Sequence, residues 1–150
     1  MVSPCRLDII RPSAKEVIVD SHCDILIVDD EPIVGERLKA LLEKEGHRVE
    51  AFVDSAVALE RLDNKNFDIV ISDIRMGDID GIQLLELVAK KSRHIKVVLI
   101  TGYATLELAR ESLAKGAFDF IAKPFKLNEI RATIKRAIES FDSRRPATVQ

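Results

Sequence analysis

Short apolar runs alternate with amphipathic stretches along most of the chain, and this alternation constrains the fold more than any other feature. Each run is too short for a buried helix but has the length of a buried strand. Each is followed by residues whose apolar positions recur at helical spacing, which predicts a helix packed on a sheet. Five such runs occur, at residues 25–28, 49–52, 67–72, 95–100 and 118–122.

Strands that alternate with helices predict a parallel sheet, because parallel neighbours must be joined by crossover connections. The fold class is therefore α/β, with helices on both faces of the sheet. Five units favour an open, doubly wound sheet over an eight-stranded barrel. We expect this domain to span residues 24–141, after an extension over 1–23 in which 17–19 are a candidate extra strand. Residues 142–150 are expected to form a tail or linker.

Composition narrows the class of protein. The chain has 150 residues, 47% of them apolar and 32% charged, with no apolar run long enough to cross a membrane. Polar residues interrupt the N-terminus where a signal peptide would need an apolar region. We therefore expect a soluble, cytoplasmic protein with reduced cysteines at Cys5 and Cys23. The net charge of −2 argues against direct nucleic-acid binding by this chain.

Polar side chains follow four of the five predicted strands. In open α/β sheets ligands bind at the carboxyl ends of the strands, so these side chains are expected to share one rim. Any one of them could be an ordinary turn residue or helix cap, but together they predict a site. Clustered carboxylates favour a bound cation, and oxygen ligands suit Mg²⁺. The residues are Asp29, Asp30 and Glu31, Asp73, Thr101, and Lys123.

Over residues 24–141 the chain resembles the receiver domains of two-component response regulators. The motifs that carry the resemblance are ILIVDDE, ISDIRM, the Asp80-Gly81 pair, ITGYA and GAFDFIAKPF. The segment 102–125 is most similar to receivers of sigma-54-dependent activators. The resemblance implies a flavodoxin-like sheet with strand order 2-1-3-4-5.

The resemblance also implies a chemistry for the rim. Asp73 is the expected phosphoacceptor, served by a sensor histidine kinase or a phosphotransfer protein. Lys123 and Thr101 are expected to contact the phosphoryl oxygens. The expected ligands of Mg²⁺ are Asp30, Asp73 and the backbone carbonyl of Arg75, with Asp29 acting through water. The resemblance therefore implies a switch that catalyses transfer of the phosphoryl group to itself and its later hydrolysis, and not an enzyme that turns over a substrate.

The implied switch couples the hydroxyl of Thr101 to the ring of Phe120. The readout would be a homodimer through the fourth helix, fifth strand and fifth helix that tightens on phosphorylation. The resemblance further implies a cis peptide bond at Lys123-Pro124. One departure is Gly77, where family members commonly have proline: it is either a neutral change in an exposed loop or the cause of a more mobile loop.

Two other classes of function compete with the switch. One is a receiver-like module that binds its partner without accepting phosphate, but every side chain that the chemistry requires is present. The other is a Mg²⁺-dependent phosphohydrolase with Asp73 as its nucleophile, but the predicted loops are too short for a substrate-selecting cap. The sequence leaves open whether this is a stand-alone receiver or a piece of a longer protein.

Overall fold

The computed structural model describes residues 6–10, 18–75, 79–92 and 94–144, with side chains described for 22–75, 79–92 and 94–141. Its elements follow one another in regular alternation after an N-terminal pair of strands. They are β1 Arg6–Ile10, β2 Ile18–His22, β3 Asp24–Val28, α1 Pro32–Lys44, β4 Arg48–Phe52, α2 Ser55–Asn64, β5 Ile69–Asp73, α3 Gly81–Lys91, β6 Lys96–Thr101, α4 Leu106–Ala114, β7 Asp119–Ala122 and α5 Leu127–Arg144. No described helix is long and apolar enough to cross a membrane.

The main sheet has five strands in the order β4-β3-β5-β6-β7, and all of its neighbours are parallel. Numbered from β3, this is the order 2-1-3-4-5. The predicted α/β class and the flavodoxin-like strand order are both confirmed. Strand order reverses between β3 and β5, so the carboxyl ends of these two strands flank the position where such folds bind ligands.

Two apolar layers cover the sheet, because successive residues of a strand point to opposite faces. In β3, Ile25 and Ile27 pack with α1 and α5, while Leu26 and Val28 pack with α2 and α3. All four side chains are completely buried. At about 25 cal/mol per Å² of apolar surface, such burial on both faces is the largest favourable contribution that holds the strands in the sheet.

The N-terminal extension is more structured than the sequence predicted. β1 and β2 form an antiparallel pair with Arg6 opposite His22, and only a strand overlapping β2 was anticipated. Cys23 is completely buried and disulfide-bonded, so the expectation of two reduced cysteines is wrong. Its bonding partner lies outside the described residues. The spacing of cysteines along the sequence did not predict this bond, because an antiparallel pair of strands brings together residues that are distant in sequence.

Candidate functional site

The predicted rim forms where β3, β5, β6 and β7 end side by side. Asp73 ends β5 opposite Ile100 of β6, so Thr101 lies one residue further along the neighbouring strand. The amide of Lys123 donates to the carbonyl oxygen of Thr101 over 2.8 Å, which ties the end of β7 to the end of β6. Backbone pairing alone therefore places these residues next to one another, independently of any side-chain contact.

Three carboxylates meet at the reversal of strand order. Asp29 and Asp30 follow β3, and together with Asp73 they offer oxygens that all lie within 4.8 Å of one another. Asp29 and Asp73 are buried, whereas Asp30 is exposed. Carboxylate oxygens at this spacing, with one side open to water, are the donors that Mg²⁺ uses in proteins. The residues present thus fit the expected metal.

Lys123 lies over the same carboxylates. Its Nζ donates to Asp73 Oδ2 over 2.9 Å, to Asp29 Oδ2 over 3.0 Å and to Glu31 Oε1 over 3.0 Å. Burial opposes the charged form of the ammonium, but these hydrogen bonds raise the pKa of Lys123 above its usual range. The lysine is therefore a permanent positive charge at the centre of an acidic group.

The remaining oxygens of the buried pair are held by the backbone. Asp29 Oδ1 accepts from the amide of Glu31 over 2.8 Å, and Asp73 Oδ1 accepts from the amide of Arg75 over 3.2 Å. Burial raises the pKa of Asp29, while the amide of Glu31 and the ammonium of Lys123 act in the opposite direction. Each carboxylate thus has one oxygen on the backbone and one on the lysine, which fixes its orientation.

Thr101 is completely buried, and its Oγ1 accepts from the amide of Tyr103 over 3.0 Å. The guanidinium of Arg75 lies over the Tyr103 ring, 4.1 Å from its centroid. This cation–π contact links the loop after β5 to the loop after β6. Nothing in the sequence predicted it, because the two residues belong to different predicted units.

The predicted switch aromatic, Phe120, is partly buried and packs against the core layer that contains Leu99. Exposed apolar side chains occur in or just before α4 and at the start of α5, namely Tyr103, Leu106, Leu113 and Leu127. Asp119 of β7 accepts from Arg136 of α5 over 2.5 Å. The peptide bond between Lys123 and Pro124 is cis, in agreement with what the resemblance implied.

Two other residues of the motifs have structural roles. Asp80 caps the N-terminus of α3: its carboxylate accepts from the amide of Gln83, and the Gln83 side chain accepts from the amide of Asp80. This capping box accounts for Asp80 without any contact to the site. Gly81, the second residue of the Asp80-Gly81 pair, lies directly against the backbone of Asp73. Gly77 and Asp78 lie outside the described residues.

Fold and site together define a class: a doubly wound α/β protein with an acidic pocket and a lysine at the carboxyl ends of its strands. Comparison with known proteins is more specific. The profile of the family described as "Response regulator receiver domain" matches residues 25–135. The chain therefore belongs to the response regulator receiver domain family, whose function in two-component systems is phosphorylation at an aspartate.

Individual relatives agree with this assignment. The chain is 35% identical over 129 residues to the transcriptional regulatory protein ZraR of Escherichia coli strain K12, with 84% of this chain and 29% of ZraR aligned. The predicted likeness to receivers of sigma-54-dependent activators is confirmed. The chain thus spans less than a third of the length of the curated relatives it matches.

Solved structures give the same result. A CheY-like receiver domain from Methanospirillum hungatei JF-1 superposes with a TM-score of 0.77 at 33% identity, covering 81% of this chain and 98% of that one. A beryllofluoride-activated NtrC4 receiver domain dimer superposes with a TM-score of 0.75 at 30% identity, covering 79% and 98%.

Proposed function

We propose that Asp73 is the phosphoacceptor and that Lys123, Thr101 and a bound Mg²⁺ assist the transfer. The observation that supports this most directly is the position of Lys123 Nζ, 2.9 Å from Asp73 Oδ2 and 3.0 Å from Asp29 Oδ2. A purely structural lysine would not need two buried carboxylates at the ligand-binding end of a doubly wound sheet.

The donor in this proposal is a phosphohistidine of a sensor kinase or phosphotransfer protein. An oxygen of the Asp73 carboxylate attacks phosphorus while the phosphorus–nitrogen bond breaks. The electron pair of that bond goes to the imidazole nitrogen, which takes a proton from solvent. The product is an acyl phosphate on Asp73, and no oxidant or further reactant is required.

Phosphoryl transfer depends more on positioning and charge than on covalent assistance. Asp30, Asp73 and the carbonyl of Arg75 would hold Mg²⁺, with Asp29 acting through water, and the bound ion would neutralise charge on the phosphoryl oxygens. Lys123 supplies a compact positive charge for one of those oxygens. Thr101 supplies a hydroxyl on the adjacent strand end, and in this proposal its rotation toward a phosphoryl oxygen releases the Tyr103 amide.

Release of that hydrogen bond is the proposed start of the signal. The loop after β6 and the ring of Phe120 would then readjust, altering the face formed by α4, β7 and α5. We propose that this face forms a homodimer that tightens on phosphorylation, supported by its exposed Leu106 and Leu113 and by the activated NtrC4 receiver dimer. Slow hydrolysis of the acyl phosphate by the same site would end the signal.

Further parts of the proposal concern the setting of the domain. We assign residues 24–141 to the receiver, 1–23 to an extension and 142–150 to a tail or linker. The chain acts in the cytoplasm, where a kinase draws on ATP, and does not itself contact nucleic acid. Its relatives are longer transcriptional regulators, so any output lies with an additional domain or a partner.

The test is labelling with a small phosphodonor, such as acetyl phosphate, in the presence of Mg²⁺. We expect one phosphoryl group per chain by intact-mass spectrometry, lost in Asp73→Asn and on removal of Mg²⁺ with a chelator. Asp80→Asn is the matched control, because asparagine preserves the helix cap and labelling should be unchanged. Labelling of Asp73→Asn at the parent rate would refute the assignment.

A further inference from the structure

Glu31 is the third carboxylate bonded to Lys123, and it differs from the other two. The side chains of Asp29 and Asp73 are 2% and 8% exposed, whereas that of Glu31 is 60% exposed. Glu31 is also outside the group of three carboxylates whose geometry suits a metal ion. Its bond to the lysine therefore needs a separate explanation.

The backbone holds Glu31 firmly even though its side chain is exposed. Glu31 is the N-cap of α1, where its carbonyl oxygen accepts from the amide of Val34 over 3.0 Å. Its own amide donates to Asp29 Oδ1 over 2.8 Å. An N-cap side chain commonly accepts from the first turn of its helix, but that of Glu31 makes no such bond. Its carboxylate extends to Lys123 instead.

The three carboxylates bonded to Lys123 differ in whether the proposed metal ion also needs them. An ammonium has three donors, and here each has one carboxylate partner. Under the proposed function, Mg²⁺ would draw on oxygens of Asp73 and, through water, of Asp29, and a dication beside the ammonium would repel it. Glu31 is then the one partner whose carboxylate is not required elsewhere.

We propose that Glu31 is a positioning residue, which retains Lys123 at the mouth of the site when Asp29 and Asp73 turn to the metal ion. Its carboxylate offers the ammonium an acceptor on the outer side. Lys123 can therefore release its hydrogen bonds to Asp29 and Asp73 without leaving the site. The bond to Glu31 strengthens as the other two weaken, and this couples Glu31 to Mg²⁺ affinity through Lys123. The inference rests on the proposed role of this rim in Mg²⁺ and phosphoryl binding.

A double-mutant cycle distinguishes this coupling from a direct effect of charge. Mg²⁺ affinity is measured by calorimetry, without any phosphodonor, for the parent, Glu31→Gln, Lys123→Met and the double variant. We expect Glu31→Gln to weaken Mg²⁺ binding by about three- to tenfold when Lys123 is present. In the Lys123→Met background the same change should have at most a small effect.

Glu36→Gln is the matched control, since Glu36 is another exposed carboxylate on α1 and is outside the acidic group. It should leave Mg²⁺ affinity unchanged at physiological ionic strength. A loss of affinity with Glu31→Gln that is equal in both backgrounds, or that Glu36→Gln reproduces, would overturn the inference, as would no loss at all. Failure of the parent to bind Mg²⁺ or to be labelled would instead refute the proposed function.

Discussion

Gly81 lies so close to Asp73 that it could not carry a side chain without displacing the backbone. A Cβ built on Gly81 would stand 2.5 Å from the carbonyl oxygen of Asp73 and 2.7 Å from Cα of Ile74. The amide of Gly81 donates to the carbonyl oxygen of Ile74 over 2.9 Å. The first residue of α3 is thus packed directly beneath the proposed phosphoacceptor.

This contact predicts that Gly81→Ala destabilises the domain. The methyl group would meet backbone atoms, which cannot turn aside as a flexible side chain can, so we expect a loss of about 1–3 kcal/mol of unfolding free energy. Urea unfolding measures the loss. Gly102→Ala is the control, because no atom lies within 4 Å of a Cβ built there. Equal stability of the two variants would contradict the steric argument.

A second prediction concerns Mg²⁺ and Lys123. The ammonium shares oxygens of Asp29 and Asp73 with the proposed metal site, so its removal eliminates a competing cation. Lys123→Met should bind Mg²⁺ more tightly, by roughly tenfold or more given the Coulomb energy at these distances. It should nevertheless be labelled more slowly by acetyl phosphate, because the positive charge opposite the phosphoryl group is gone.

Calorimetric titration and labelling rates separate these two effects. Lys126→Met is the control, since that lysine is exposed and its hydrogen bond to Glu129 is made by the backbone amide, which the substitution keeps. Weaker Mg²⁺ binding in Lys123→Met would mean that the lysine does not compete with the metal for Asp29 and Asp73.

A third prediction follows from the proposed switch. Thr101→Val removes the hydroxyl but keeps the shape of the side chain, whereas Thr101→Ser keeps the hydroxyl. If the hydroxyl couples the phosphoryl group to the α4-β7-α5 face, beryllofluoride should tighten the dimer by about tenfold in the parent and in the serine variant. The valine variant should show no tightening. Sedimentation equilibrium measures the dimer dissociation constant of each protein. Equal tightening in all three would refute the proposed coupling through the Thr101 hydroxyl.

A fourth prediction concerns stability toward acid. His47 is buried, and its Nδ1 accepts from the amide of Cys23 over 3.1 Å, which requires a neutral ring. Burial lowers the pKa of His47 below the ordinary value of 6.5; Glu45 opposes this shift and His22 adds to it. The unfolded chain therefore binds a proton near pH 6.5 that the folded chain does not. The stability from neutral His47 is fully present above pH 6.5 and is lost as the pH falls.

The test compares His47→Asn with the parent, because an asparagine oxygen can accept the same amide without titrating. Between pH 7.5 and pH 5.5 the parent should lose roughly 1 kcal/mol more unfolding free energy than the variant. His94→Asn, at an exposed histidine, should behave as the parent does. Identical pH dependence of parent and His47→Asn would show that His47 does not contribute.

Much of the fold followed from local pattern. The run at residues 25–28 and the helical spacing of Leu38, Leu41 and Leu42 report on burial within a few residues, and such periodicity is visible in sequence alone. Gly116, which follows α4, has a φ of 105°, the left-handed conformation in which glycine commonly ends a helix. The strand-end position of Asp73 was equally predictable, since it only required knowing where β5 stops.

Long-range contacts were not predictable in the same way. The α/β class, the rim and the receiver motifs are predictable from the sequence, because each depends on neighbouring residues or on motif order. The pairing of β1 with β2, the stacking of Arg75 on Tyr103, and the bond from Lys123 to Glu31 across 92 positions of sequence became visible only in the folded structure. Such contacts depend on how the crossovers bring strand ends together and on which rotamers the packing leaves open, and neither is encoded within any one segment.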